Sequence, residues 1–405
     1  MMGWKWKYYE KEKCKRKNAK ESPSFFLFPF GFCIYMRIGI DARLNAYRQG
    51  GIAHYTRQLL GALAPLARTE TFVALQHRKQ LRPLVVAPNV ERATLFTPPH
   101  HRFEQIALPL ELLPRRLNIL HSPDFIPPLR RPCPAVITVH DLAFLRFPAI
   151  LDAAARRYYG QIHTAVAGAD AIIAVSEATR ADIVELLHVP PERVDVVPEA
   201  AAAHFRPLDL PPDATHTVNG VALHARTFML FVSTIEPRKN IDTLLRALRV
   251  CRDRKPGAAY RLVLAGARGW LADPIYALVD ELGLAEAVTF LGGVAPDDLH
   301  WLYAACRLYA NPSLYEGFGL PVLEALACGA PSLVADTSSL PEVAGPAAQL
   351  LPPTDVGAWA DAIMALWNDE AARADLARRG PPQAARFSWE RAAAETLAIY
   401  RRVAR

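Results

Sequence analysis

Glu316 and Glu324 stand with seven residues between them, on either side of a Gly317-Phe318-Gly319 turn. Carboxylates so placed can accept hydrogen bonds from sugar hydroxyls, and glycines let backbone N–H groups come close to a phosphate. Pro321 suits the first turn of a helix, where its missing N–H would have had no partner, so Glu316 belongs to a loop and Glu324 to a helix. The N–H groups that open such a helix favour an anion. The pattern fits a molecule with a diphosphate in the middle and a sugar at each end, a nucleotide sugar. A surface turn before a helix, with both acids solvated, leaves the same letters, because strand, glycine turn and helix recur widely.

Three more stretches carry chemistry. Arg238 and Lys239 precede a helix that begins at Ile241, where a helix N-terminus already favours anions. Surface cations are usually just solvated, but after Lys20 the only lysines are Lys79, Lys239 and Lys255. His140 follows the apolar run Ala135 to Val139, and a residue at the C-terminal end of a strand in an open α/β sheet faces the ligand crevice; a lone histidine is more often a structural hydrogen-bonder. Gly50-Gly51 opens a helix running to Leu66, without the G-x-G-x-x-G spacing of a dinucleotide oxidoreductase. No Asp-x-Asp pair occurs in the chain, so the sequence requires no metal.

These residues need strands and helices to hold them. Short apolar runs predict strands at Arg37 to Ile40, Phe72 to Leu75, Leu84 to Ala87, Asn118 to His121, Ala135 to Val139, Ala171 to Val175 and Arg193 to Pro198. After a stretch containing Pro207, Pro211, Pro212 and Gly220 the pattern restarts, with strands at Phe228 to Val232, Arg261 to Ala265, Val288 to Leu291, Arg307 to Ala310 and Ser332 to Ala335. Helices are expected over His54 to Leu66, Ala153 to Ala167, Ile241 to Val250 and Val322 to Ala327, the last stopped by Gly329. Ser388 suits the N-cap of a final helix to Arg405.

The string from Asn311 to Gly329 resembles the signature of the retaining family 4, group 1 glycosyltransferases, and the resemblance runs from Met36 nearly to the end. It implies an α/β protein of GT-B fold: two Rossmann-like, doubly wound parallel-sheet domains facing an interdomain cleft. The expected division is an extension over 1–35, an acceptor domain over 36–205, a linker over 206–226, a nucleotide-sugar domain over 227–386, and a helix over 387–405 crossing back to the first domain. By the same resemblance Glu316 lies near the donor sugar and Glu324 binds the ribose. The amides of Phe318, Gly319 and Leu320 follow the sugar and phosphates, and Lys239 meets the diphosphate. His140 lies near the transferred sugar, Gly50 and Gly51 border the cleft, and the loops of Gly266 and Gly293 surround the nucleotide.

Two departures stand out. Thr234 occupies the family's usual arginine position, which leaves that contact missing or passed to Arg238, and Glu199-Ala200 replaces a frequent Asn-Gly pair. The variant Glu236-Pro237-Arg238-Lys239-Asn240 resembles a branch associated with bacterial surface polysaccharides, of mannosyl and rhamnosyl type. The resemblance implies a nucleotide sugar as donor substrate, no further cofactor, and a glycan or polyprenyl-linked glycan as acceptor. A noncatalytic nucleotide-sugar-binding protein and a GT-B nucleotide-sugar epimerase are the alternatives.

Length and composition agree with this reading. A chain of 405 residues, 51% hydrophobic and 21% charged, suits two globular domains. The formal charge of +7 does not point to nucleic acid, because residues 1 to 21 hold eight Lys and Arg against three Glu and the remainder is close to neutral. The apolar run Phe25 to Tyr35 is shorter than the ~20 residues of a spanning helix. Residues 1 to 35 read either as sequence upstream of a start at Met36, which we favour, or as a basic arm for a membrane surface. Six cysteines without metal-ligand spacing fit a reducing cytoplasm, with a peripheral contact on the membrane's inner face following from the acceptor.

Overall fold

The computed structural model describes residues 36–47, 50–148 and 153–404; the expectations for residues 1–35 lie outside them. The first parallel sheet contains β1 (Met36–Asp41), β2 (Glu70–His77), β3 (Val90–Leu95), β4 (Ile119–Ser122), β5 (Ala135–Val139), β6 (Ala171–Ala174) and β7 (Val194–Val196), in the order β3-β2-β1-β4-β5-β6-β7. Next come β8 (Thr215–Val218) and β9 (Val221–His224), an antiparallel hairpin inside the stretch read as linker. Its turn is Asn219-Gly220 with φ of 48° and 82°, the pair that a two-residue hairpin favours. The second parallel sheet has the order β12-β11-β10-β13-β14-β15, from β10 (Met229–Val232), β11 (Leu262–Ala265), β12 (Val288–Gly292), β13 (Leu308–Asn311), β14 (Ser332–Ala335) and β15 (Ala348–Leu351).

Helices cover both faces of each sheet, which is why β5, β6, β10, β11 and β14 are apolar without alternation and buried throughout. Both sheets reverse their winding once, between β1 and β4 and between β10 and β13. The crevices beyond the C-terminal ends of strands at such reversals are where open α/β sheets hold ligands.

Two expectations need correction. Leu84 to Ala87 is not a strand: between Pro83 and Pro88, the Leu84 N–H donates to Gln76 Oε1 (3.1 Å) instead of to a ladder, and the edge strand is β3. The helix expected over Ala153 to Ala167 is two, Ala153–Tyr159 and Ile162–Gly168, parted near Gly160. The final helix, Trp389–Val403, is capped as expected by Ser388, whose Oγ accepts from the Arg391 N–H (3.1 Å). It packs on the helix Gly51–Leu66 of the first sheet's layer, with Trp389, Leu397 and Tyr400 in one cluster with Ile38, Leu59 and Val136. Tyr400 Oη lies 2.5 Å from Nδ1 of His121, whose pKa burial pushes down to about 3.

Candidate functional site

The loops that leave β10 and β13 meet at the winding reversal of the second sheet. After β10, Pro237–Lys239 forms a 3-10 turn ahead of the helix Ile241–Arg254, and it carries Arg238 and Lys239 inward. After β13, the chain runs through Ser313, Tyr315 and Glu316 into the helix Leu320–Ala327. Gly319 caps that helix at φ 100°, a left-handed conformation that favours glycine, and Pro321 lies in the first turn. Local chemistry alone therefore places Glu316 just before the helix and Glu324 on it, as the spacing predicts.

Lys239 Nζ lies 2.6 Å from Glu316 Oε1, which also accepts from Ser313 Oγ at 2.8 Å. Arg238 Nη1 is 3.7 Å from Glu316 Oε2, and its Nε is 2.5 Å from Glu236 Oε1. The Lys239 and Glu316 side chains are only 6% and 10% exposed, so water screens the pair little. Burial works against the ionised Glu316, but Lys239 and Arg238 outweigh it and hold the carboxyl below its ordinary range. Arg238 is in turn held charged against burial by Glu316, Asp141 and Glu236. Glu324 differs: burial pushes its carboxyl up to about 8, although Tyr303 Oη donates to its Oε2 at 2.9 Å.

Across from this cluster stands His140, at the end of β5. Its Nδ1 is 2.7 Å from Glu199 Oε1 and its Nε2 is 3.1 Å from the Pro123 carbonyl oxygen. The Pro123 carbonyl can only accept, so Nε2 donates, and the Glu199 carboxylate at Nδ1 favours the charged ring. Burial opposes that charge, but Glu199, with Asp124 and Asp141 behind it, raises the histidine's pKa. Tyr55 meets the ring edge-on, with centroids 4.7 Å apart. Glu199, noted in the sequence only as a departure, is thus the partner of His140; its place just beyond the C-terminal end of β7 was the available signal.

The two layers touch at the glycine turn. The Gly317 carbonyl accepts from Ser176 Oγ (2.5 Å) and Thr179 Oγ1 (2.9 Å), and a Cβ at Gly317 would stand 1.7 Å from the His140 carbonyl oxygen. Tyr315 Oη donates to Asp182 Oδ2 (2.6 Å) and accepts from the Leu142 N–H (3.0 Å). Glu342 Oε2 accepts from the Glu177 N–H at 3.2 Å. The Phe318 ring packs edge-on against Phe387, leaving its backbone at the turn, and Ser339 Oγ donates to the carbonyls of Glu316 and Phe318. Ser313 and Tyr315 lie inside the Asn311–Gly329 string, where sequence alone assigns them no role of their own, and no motif marks Asp182.

His140, Arg238, Lys239, Glu316, Phe318, Gly319, Leu320 and Glu324 are thus gathered around one turn. Gly50 and Gly51 open the helix Gly51–Leu66, where no atom of the described residues lies within 4 Å of an added Cβ. Gly266 backs onto the Ser233 carbonyl, so the approach of β10's exit loop already requires a small residue there. The Gly293 carbonyl accepts from Asn219 Nδ2 of the hairpin (2.8 Å). A cavity of about 320 Å³ lined by Pro207, Arg226, Arg307, Cys328 and Arg373 shares none of these residues, so chemistry rather than cavity size picks out the site.

A family model described as glycosyl transferases group 1 matches residues 220–382, and one described as glycosyltransferase family 4 matches residues 49–201. The O-antigen chain mannosyltransferase B of Escherichia coli is 35% identical over 285 residues, covering 70% of this chain and 74% of that protein. Among solved structures, sucrose-phosphate synthase from Thermosynechococcus elongatus superposes with a TM-score of 0.72 at 22% identity, covering 91% of this chain and 98% of the other. Anabaena Alr3699/HepE in complex with UDP and glucose superposes with a TM-score of 0.67 at 21% identity, covering 90% and 100%. At these identities the superpositions speak for the fold alone, and the fold is GT-B.

Proposed function

Because the chain belongs to the group 1, family 4 glycosyltransferases, we propose that it moves a hexose from a nucleoside diphosphate to a hydroxyl of a glycan or polyprenyl-linked glycan, retaining configuration. The Lys239–Glu316–Arg238 cluster at the second sheet's winding reversal, set against His140 of the first, carries this reading. In the reaction the bond from the sugar's anomeric carbon to the diphosphate oxygen breaks, and a bond to the acceptor oxygen forms on the same face. The acceptor's proton passes to the leaving phosphate. Negative charge grows on the diphosphate as this happens, and fixed positive groups aimed at it are often the largest catalytic term.

Lys239 has three N–H donors, of which Glu316 takes one, and Arg238 stands beside it. We assign these two cations and the amides of Gly319 and Leu320 to the diphosphate, Glu316 to the donor sugar and Glu324 to the ribose. His140, with both nitrogens engaged, supplies positive charge near the transferred sugar rather than a base. The assignment includes no metal, and chelation with EDTA is expected to leave transfer unchanged. The acceptor class puts the reaction in the cytoplasm, against the inner face of the membrane.

Thermal-shift binding against nucleotide sugars that vary in base and sugar tests this. UDP-glucose and mannosyl donors come first, because the Anabaena structure holds UDP and glucose and the Escherichia coli relative is a mannosyltransferase. Selective stabilisation by one donor, weakened in Glu324→Ala, is the expected result. Conversion of that donor with no acceptor present would make the protein an epimerase, and binding without turnover across an acceptor panel would make it a noncatalytic binder.

A further inference from the structure

The helix Glu104–Leu112 carries apolar side chains on two sides. Glu104, Leu108 and Leu112, four residues apart, are buried against the first sheet's layer. Phe103, Ile106, Leu110 and Leu113 recur at i, i+3, i+7 and i+10 on the other side, and each is between 51% and 68% exposed. Phe96, 64% exposed, is tied to the same helix: the N–H groups of Phe96 and Thr97 donate to the Glu111 carboxylate at 2.7 and 2.9 Å. Single exposed apolar side chains are ordinary, but a continuous strip of them marks an interaction surface.

We propose that this strip docks on an anionic lipid bilayer. From Arg78 to Arg116 the chain holds seven Lys and Arg against three Glu, and every one of those glutamates is committed. Glu91 pairs with Arg37 at 2.8 Å, Glu104 with Arg43, and Glu111 with the two N–H groups. The cations flank the apolar side chains: Arg102 lies over the Phe103 ring at 4.7 Å and Arg78 over the Phe96 ring at 5.8 Å. Apolar side chains ringed by arginines match an acyl boundary beneath negative headgroups. A second copy of this face would instead set arginine against arginine. The Glu104 end of the helix meets Arg43, which follows β1, so the strip begins at the rim of the first sheet's crevice. Docked there, the protein takes a lipid-borne acceptor into the cleft from the bilayer; that step rests on the glycosyl-transfer reading, whereas the lipid contact does not.

The test is cosedimentation of the full chain with phosphatidylcholine vesicles, with and without phosphatidylglycerol. The wild type binds the anionic vesicles and is released by salt. Ile106→Glu/Leu110→Glu loses about tenfold or more of that affinity, and Arg102→Ser/Arg116→Ser loses about fivefold per arginine. Thermal midpoint and donor-induced shift stay at wild-type values in both. Equal vesicle binding by the Glu variant, no binding by the wild type, or a wild-type dimer that the Glu variant splits would each overturn the proposal. Loss of the donor shift in the wild type itself would count against the functional reading and leave the vesicle result standing.

Discussion

Replacing Lys239 with methionine keeps an unbranched apolar stem and removes the ammonium that lies 2.6 Å from Glu316. Removing one partner of a buried ion pair costs about 3–5 kcal/mol, because the other charge stays desolvated. Here Arg238 at 3.7 Å and the Ser313 hydroxyl at 2.8 Å remain beside Glu316, so the lower end, about 3 kcal/mol, is the expected loss. For a domain of this size that lowers the thermal midpoint by roughly 6–12 °C. Turnover should fall by about 10²-fold or more, the scale of losing one group that stabilises transition-state charge. Lys239→Met/Glu316→Gln separates the two effects. Removing the stranded carboxylate restores most of the stability, whereas turnover stays low because the cation for the diphosphate is still missing. The acid limb moves too: with its pKa held low, Glu316 contributes stability above its ordinary value of 4.5 that is lost as pH falls through the folded value, and the double variant lacks this term. The assay is unfolding by differential scanning fluorimetry across pH, with steady-state transfer kinetics on the same preparations. An unchanged midpoint in Lys239→Met, or turnover restored in the double variant, would refute the reasoning.

Glu324 behaves in the opposite sense. Its folded pKa of about 8 lies above the ordinary 4.5, so its contribution is fully present below pH 4.5 and is lost as pH rises through 8. Against Glu324→Gln, wild-type stability should therefore decline between these limits, and parallel unfolding curves would exclude the raised value. Tyr315→Phe removes one hydroxyl from two partners across the layers, Asp182 and the Leu142 N–H, at an expected cost of about 1–3 kcal/mol. A urea midpoint equal to wild type would show that this contact is not held in solution.

Much of the architecture was legible because its signals are local. Strands buried on both faces read as short apolar runs, and those around the site, from β4 to β7 and from β10 to β14, stand where such runs predict them. The start of the helix Leu320–Ala327 follows from Gly319 and Pro321, and the start of the final helix from Ser388. The polar edge strand β3 was missed because an edge needs no continuous apolar run, and Leu84 to Ala87 misled because its apolar residues lie between prolines.

Residue types and element order, set by the chain itself, decided which turns stand beyond the strands that flank each winding reversal, and so which side chains were eligible for the site. Tertiary structure decided who meets whom. Lys239 finds Glu316 only because β10 and β13 lie side by side, and Glu199 reaches His140 only because β5, β6 and β7 pack in that order. Gly317 must be small because a carbonyl of the other layer, that of His140, lies against it. Such contacts leave no trace in local propensity: each depends on the distance between two segments far apart in the chain, and that distance exists only once the sheets are paired and packed.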